Sequence, residues 1–118
     1  MTKLDEIVER AFRTHLRLDG RKALYRRGGE SAEMDVLADT ITEEVLTQDG
    51  INVARQWKRI VFLSSEFPFG KPREGDSVVL QNAVYRPVQN GSRRYYDFED
   101  ASEMTMVVEL EKTGEKVE

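Results

Sequence analysis

The sequence contains no cysteine, one histidine and three prolines. Without cysteine there can be no disulfide framework and no zinc site with thiolate ligands, and the composition fits a reducing compartment. The motifs H-E-x-x-H, G-x-S-x-G and G-x-x-x-x-G-K-[ST] are absent as well. No apolar run approaches the length of a membrane span, and the N-terminal MTKLDEIVERAF lacks the apolar region of a secretory signal. These absences favour a protein with no catalytic activity, cofactor or metal.

The chain has 118 residues, enough for one domain that buries roughly two thirds of its unfolded surface. Its net charge of −4 is distributed in bands: +4 over residues 1–27, −7 over 28–50, +4 over 51–73, +1 over 74–96 and −6 over 97–118. Such bands can place opposite charges on opposite faces, which suits a subunit that docks onto its own copies or onto two different neighbours. Acidic loops and an acidic tail in solvent explain the bands equally well.

Residues 2–18 have the apolar spacing of an amphipathic helix, with Thr2 as a possible cap and Asp19-Gly20 as its end. A sheet or another subunit is needed to cover the apolar face. His15 lies on this face without a nucleophile or ligand set, so a packed or interface-covered histidine is favoured over a catalytic one. The face comprises Leu4, Ile7, Val8, Ala11, Phe12, His15 and Leu18.

After Gly20 the apolar spacing changes to two, which is typical of strands. Two arginines in the longest candidate indicate a bulge or a twist between Ala54 and Lys58 rather than one regular strand. A single helical turn is expected behind Ser64 or Ser65. The predicted strands are Ala23–Arg27, Met34–Asp39, Ile51–Leu63, Ser77–Leu80, Ala83–Val88 and Met104–Leu110.

The fold class predicted from these elements is α+β and mainly β, a small barrel or sandwich of about six strands with the helix packed outside. It forms a single domain over residues 1–118, with the barrel at about 22–110 and a flexible acidic tail at 112–118. The polar segments Thr42–Asp49 and Asn90–Ser102 are predicted to be mobile in the isolated subunit.

Two polar clusters have functional alternatives. Asp97, Glu99, Asp100 and Glu103 could hold calcium, but they lack the spacing of an EF-hand, so a solvated loop is favoured. Arg93, Arg94, Tyr95 and Tyr96 place bases beside aromatics, as a nucleic-acid groove would, although acids follow at once. Trp57, between two arginines, is either an interface anchor or a core residue.

Residues 73–88, REGDSVVLQNAVYRPV, form the clearest hairpin signal. Gly75-Asp76 is read as a turn into the first strand, and Gln81-Asn82 as the two-residue loop of the hairpin. Pro87 has no N–H to donate, so it is expected at a sheet edge or strand end.

In the order and length of these elements, residues 5 to 110 resemble the head–tail joining proteins of tailed bacteriophages, the lambda-type tail-attachment or head-completion family. That family repeats a unit of hydrophobic strand, basic residue, Gly-Asp, apolar strand, short turn, aromatic and Val. Residues 90–103 form a longer and more charged link than the simplest family pattern. The unit is carried here by Arg73, Gly75, Asp76, Val78, Leu80, Tyr85 and Val88.

The resemblance implies a β-barrel that assembles as a ring, usually hexameric, at the vertex of a DNA-filled head. Its partners would be portal or connector proteins, tail proteins and copies of itself, and such proteins can be monomeric until they meet their platform. It implies no catalysis and no membrane, with DNA only as the contents of the channel. The expected location is the virion neck, after assembly in the cytoplasm of a bacterial host.

Docking in such a ring would use charged surface patches. The predicted basic set meets acidic surfaces of one neighbour, and the predicted acidic set meets basic surfaces of another, with Trp57 as an added anchor. The alternatives are a tail terminator or another neck or tail ring protein, and a small barrel that binds single-stranded nucleic acid through Trp57, Arg93, Arg94, Tyr95 and Tyr96. An enzyme is the weakest alternative. The basic set is Arg26, Arg27, Arg55 and Arg59, and the acidic set is Glu43, Glu44 and Asp49.

Overall fold

The computed structural model describes residues 3–115, which form one helix and a closed six-stranded β-barrel with one extra strand. The strand order is β3-β2-β1-β4-β5-β7, and pairing of β3 with β7 closes the barrel, while β6 adds to β7. Every strand pair is antiparallel. The predicted fold class is confirmed. The elements are α1 (Lys3–Asp19), β1 (Arg21–Arg27), β2 (Glu30–Leu46), β3 (Asn52–Leu63), β4 (Ser77–Leu80), β5 (Ala83–Pro87), β6 (Asp97–Phe98) and β7 (Thr105–Lys112).

The barrel interior is filled by apolar side chains that alternate along each strand, as the pleat requires. The ring of Phe67 closes part of this core, with its centroid 4.8 Å from that of Tyr25 and 5.2 Å from that of Phe62. Large side chains of this kind each stabilise the fold by roughly 1.5–3 kcal/mol when fully buried. The best-buried members are Tyr25, Phe62, Ile60, Leu63, Leu80, Leu110, Val36, Val78, Val84 and Val108.

The hairpin β4–β5 has the predicted two-residue turn. Leu80 pairs with Ala83, and the intervening Gln81 and Asn82 both have positive φ, 51° and 64°. Two positive φ values are those of a type I′ turn, whose twist matches the strands it joins. Pro87 ends β5, where its missing N–H is tolerated.

Two expectations about β2 and β3 are wrong. β2 was predicted to end at Asp39, but it continues to Leu46, and the acidic segment that follows Thr42 is strand rather than loop. The pairing of the two strands runs without interruption from Leu37↔Val61 to Leu46↔Asn52, so there is no bulge. Apolar alternation did not mark this part of β2 because both of its faces are exposed, so no face needs to be apolar.

Among the shorter elements, one was predicted from the sequence and one was not. The predicted helical turn is present at Ser64–Glu66 as a 3₁₀ turn. The short strand β6 was not predicted. Gly20 joins α1 to β1 so tightly that an added Cβ would lie 2.1 Å from the Leu16 carbonyl oxygen. Thr2, the predicted helix cap, and residues 116–118 of the predicted tail lie outside the described residues.

Candidate interaction surfaces

The distal half of the β2–β3 hairpin, residues 40–57, projects from the barrel and is called the arm. Of the barrel strands, β1 pairs with β2 only as far as Val36, and β7 pairs with β3 only from Lys58 onward. Beyond those points β2 and β3 pair only with each other. The arm tip, residues 44–54, therefore has no layer packed on it. It nevertheless exposes large apolar side chains: Val45 at 41%, Leu46 at 69%, Ile51 at 61% and Val53 at 48%.

One face of the arm alternates apolar and charged cross-strand pairs. Ile41 lies opposite Trp57, Glu43 opposite Arg55, and Val45 opposite Val53. The Arg55 guanidinium lies 5.4 Å from the centroid of the Trp57 ring, within cation–π range. Trp57 is half-buried under this contact. The arrangement of Trp, Arg and apolar groups is typical of an interaction surface.

Helix α1 rests on the barrel with only one edge of its apolar face. Its half-buried residues Asp5, Glu9, Phe12 and Leu16 are spaced four, three and four apart, so they share the face toward the barrel. Arg13 of the helix contacts Glu66 at 2.6 Å. The remaining apolar arc is exposed, with Val8, Ala11 and His15 lining an open cleft beside the loop before β7. No described residue of the helix is fully buried. The exposed arc comprises Leu4, Ile7, Val8, Ala11, His15 and Leu18.

His15 lies in this arc and is not packed in the single chain. Its Nε2 is 3.3 Å from a carboxylate oxygen of Asp19, and its side chain is 57% exposed. The sequence predicted that His15 is either packed within the subunit or covered by an interface, and in the subunit it is not packed. An interface-covered histidine stays a prediction that a partner would have to fulfil.

The overall dimensions reflect these projecting elements. The surface area is 8121 Å², whereas a compact monomer of this mass has about 6,600 Å². The radius of gyration is 15.5 Å, against about 13.5 Å for a compact domain of this length. The excess surface is comparable to that which one specific protein–protein contact covers on both partners together.

Two of the predicted basic docking residues make hydrogen bonds within the barrel. Arg27 donates from Nε and Nη2 to Asp76 at 2.8 Å each, and also to the carbonyl oxygens of Phe69 and Lys71 at 2.7 and 2.6 Å. Its side chain is only 17% exposed. Arg26 donates from Nε to the Ser77 hydroxyl at 3.0 Å. Reversing the charge of Arg27 should therefore destabilise the fold, so this substitution is not a clean test of docking.

Asp76 is the centre of this buried network. Besides Arg27, it accepts hydrogen bonds from the Tyr25 hydroxyl at 2.5 Å and from the Arg73 backbone amide at 3.0 Å. Gly75, at φ 92°, precedes it and lets the chain turn inward. The Gly-Asp signal in the sequence thus marks the residue that ties the loop before β4 to β1.

The pKa values of two carboxyls are lowered in the fold. Burial by itself raises the pKa of Asp76, but the hydrogen bonds from Arg27, Tyr25 and the Arg73 amide outweigh it and hold the pKa below its ordinary value. Burial likewise raises the pKa of Asp100, and hydrogen bonds from Thr105 and the Met104 amide lower it further than burial raises it. For Tyr25, burial and the bond to Asp76 raise the pKa.

These directions predict acid sensitivity. A carboxyl whose pKa is lower when folded stabilises the fold above its unfolded pKa, and this stabilisation is lost as pH falls through the folded pKa. The free energy of unfolding should therefore fall as pH drops below about 5. Urea unfolding at a series of pH values measures this. D76N should be less stable at neutral pH and show a shallower acid dependence, while Asp100 still contributes equally to both proteins. Equal slopes would contradict the assignment.

The aromatic and basic residues near β6 line a cleft of about 200 Å³. The two arginines of this cleft form ion pairs with acids of the same cleft: Arg94 lies 3.3 Å from Asp97, and Arg59 lies 3.1 Å from Glu109. The Tyr96 ring is also covered by cations, with Arg94 at 5.4 Å and Lys71 at 5.7 Å from its centroid. The cleft therefore lacks the uncompensated positive charge that a nucleic-acid groove uses to bind phosphates.

The nucleic-acid alternative also required Trp57 to act with these residues. The structure instead places Trp57 in a second cleft with Tyr85, Lys58 and Lys112, whereas Tyr95 and Tyr96 line the first. Arg93 is exposed in the loop before β6 and has a positive φ of 60°. Trp57 and the two tyrosines, which the nucleic-acid alternative grouped together, thus line different clefts.

The acidic cluster weighed as a calcium site has a structural explanation for Asp100. Its carboxylate accepts from the Met104 and Thr105 amides and the Thr105 hydroxyl, which orders the loop into β7. Among residues 3–115, no group of three or more His, Asp or Glu side chains is arranged to hold a metal ion. In the same range, no helix is long and apolar enough to cross a membrane.

The predicted docking residues are therefore distributed unequally. The arm carries Glu43, Glu44, Asp49, Arg55 and Trp57, while Arg59 lies on the barrel wall against Glu109. The apolar residues of the arm tip were missed, although Val45, Leu46, Ile51 and Val53 flank a turn signal in the sequence. Neither the protein-family models nor the curated proteins contain a match to this chain.

Proposed function

We propose that this protein is a structural adaptor of a tailed bacteriophage or prophage particle. It forms a ring on the head connector, completes the head and provides the surface to which the tail attaches. The observation that carries the proposal is the pair of uncovered apolar surfaces, the arm tip and the exposed arc of α1, on one small barrel. Several large apolar side chains exposed together on projecting elements are typical of subunits that function inside an assembly.

The barrel itself supports the proposal only in part. A closed barrel with an N-terminal helix is the architecture expected of the family that the sequence resembles. The signature residues Asp76, Val78, Leu80 and Tyr85 are all buried, so they build the barrel. The specific role therefore depends on the projecting arm and helix, which a binding protein acting alone would not need to expose.

In the proposed role, the protein binds its partners through exposed surfaces rather than through a pocket. Binding energy in such contacts is concentrated in a few apolar and aromatic anchors, surrounded by charges that select the partner. The arm supplies both kinds of group, with Trp57 and Val53 beside Glu43 and Arg55. Portal or connector subunits on one side, tail proteins on the other and neighbouring copies are the proposed partners, in the virion neck.

The test is complementation in vitro. DNA-filled heads that lack this protein are mixed with purified tails of the same phage and with the added protein, and infectious particles are counted. We expect particles to appear only when the protein is present, because the tail has no attachment surface on an incomplete head. Failure of the unmodified protein to restore joining would overturn the proposal.

A parallel measurement addresses the nucleic-acid alternative. Fluorescence anisotropy with a labelled single-stranded oligonucleotide should show no saturable binding at physiological salt, since the arginines of the tyrosine-lined cleft are already paired with acids. Tight binding that is lost on Y96A and retained on W57A would instead assign the cleft a nucleic-acid role.

A further inference from the structure

The exposed arc of α1 and the arm tip have complementary charges at their borders. Lys3, Arg10 and Arg17 repeat every seven residues, so they form one line along the helix beside Ile7 and Leu18. No ion pair engages these bases within residues 3–115. The helix thus presents an apolar stripe with a basic border.

The arm tip combines exposed apolar residues with acidic ones. Residues 42–54 contain Glu43, Glu44 and Asp49 and no Lys or Arg. All three acids are exposed, and none takes part in an ion pair within the described chain. Beside them lie Leu46 and Ile51, two of the most exposed large apolar residues of the described chain. An apolar tip with an acidic border matches an apolar stripe with a basic border.

The tip of one chain cannot reach the helix of the same chain. The C-terminal end of α1 lies near Asp35, in the half of β2 that belongs to the barrel. Arg17 at the end of the helix lines one cleft with Lys22 and Asp35. Leu46 is about 36 Å farther along β2, at roughly 3.3 Å per residue. The N-terminal half of α1 does not approach the arm either, because the Ser102 hydroxyl donates to Asp5 at 2.9 Å from the loop before β7. That loop leads into Thr105, which pairs with Leu63 at the end of β3 farthest from the arm. Contact between the two surfaces therefore needs a second copy.

We propose that the arm tip of one copy docks onto the exposed arc of α1 of the next copy. The tip residues Leu46 and Ile51 cover the apolar stripe, and Glu44, which lies on the same face of the arm as Leu46, approaches the line of Lys3, Arg10 and Arg17. The contact joins two different surfaces, so it is heterologous and propagates from copy to copy until a ring closes. It names the contact between neighbouring subunits in the proposed ring and in that sense rests on the proposed function.

The test uses disulfide trapping, which the chain permits cleanly because it contains no cysteine. L46C on the arm tip and I7C on the helix are prepared separately, one carrying an affinity tag, and both sites are exposed. The two proteins are concentrated, mixed and oxidised mildly. We expect the mixed dimer to form at least about tenfold faster than either self-dimer, because docking raises the effective concentration of the two thiols.

The control and the contradicting outcomes follow from the geometry. S92C, on an exposed loop, replaces I7C as the matched partner of L46C and should give only the background rate. A mixed rate no higher than this background would overturn the inference. Dominant I7C self-dimers would overturn it as well, since they would indicate a symmetric helix-to-helix contact. Either result leaves the outcome of the head complementation test unaffected, so the two proposals can fail separately.

Charge exchange supplies a second and independent measurement. Reversing Arg10 and Arg17 to Glu in the I7C protein should slow the mixed cross-link, and reversing Glu44 and Asp49 to Lys in the L46C protein should slow it similarly. Combining both reversed proteins should restore the rate, because opposite charges face each other again. All four side chains are exposed, so the barrel should remain folded. No recovery in the combined reversal would remove the charge pairing from the inference.

Discussion

D76A should lose about 3–5 kcal/mol of its free energy of unfolding, the cost of breaking a buried ion pair from one side. Asp76 is 3% exposed, and the substitution leaves the buried Tyr25 hydroxyl without its acceptor. Arg27 keeps a positive charge on a side chain that is only 17% exposed. A domain of this size has roughly 5–15 kcal/mol in total, so the variant should be close to unfolding at physiological temperature. Urea unfolding followed by circular dichroism measures the loss.

A matched control separates burial from charge pairing in general. E111A removes the carboxylate of another arginine pair, in which the Arg86 Nη2 lies 2.9 Å from Glu111, but the two side chains are 62% and 52% exposed. Its loss should be below about 1 kcal/mol. In a double-mutant cycle, R27M combined with D76A should be less destabilised than the sum of the single variants, because neither partner is then left alone. Equal losses for D76A and E111A would contradict the central role of Asp76.

The barrel was largely predictable because its strands face one core. The alternation of apolar residues located β3 and β4 close to their observed bounds, and the Gln81-Asn82 turn followed from its two residues. The Gly-Asp signal was recognised as a turn, but its network was not. Arg27 and Asp76 are 49 positions apart in the chain, and only the pairing of β1 with β4 brings them together.

The arm was poorly predicted because its outer part faces no core. A strand with one buried face must alternate, whereas Thr42 to Leu46 is exposed on both faces and satisfies its backbone hydrogen bonds by pairing with β3 alone. Acidic, uncovered sequence was therefore interpreted as loop. The helix was predicted correctly, but periodicity could not reveal that Phe12 and Leu16 contact the barrel while Ile7 and Leu18 remain exposed. Which part of an apolar face is covered depends on tertiary contacts.

Shortening the arm should abolish head completion while leaving the barrel folded. Glu44–Ala54 is replaced by Asn-Gly, the dipeptide that favours a type I′ turn. The closing pair is chosen from the hydrogen-bond pattern: the Thr47 amide donates to the Ile51 carbonyl at 2.9 Å, and hydrogen-bonded pairs alternate along an antiparallel ladder. Glu43 and Arg55 are therefore also a hydrogen-bonded pair and can flank the new turn.

The stability of the shortened protein should change by less than about 1 kcal/mol, because the deleted side chains bury little surface in the subunit and the shorter loop costs less closure entropy. In the complementation assay its yield of infectious particles should fall to the level without added protein, since the anchors of the tip are gone. The paired substitutions L46S and I51S, which keep the arm length, should reduce the yield in the same direction. A folded, shortened protein that completes heads as well as the full chain would show that the arm does not carry the docking.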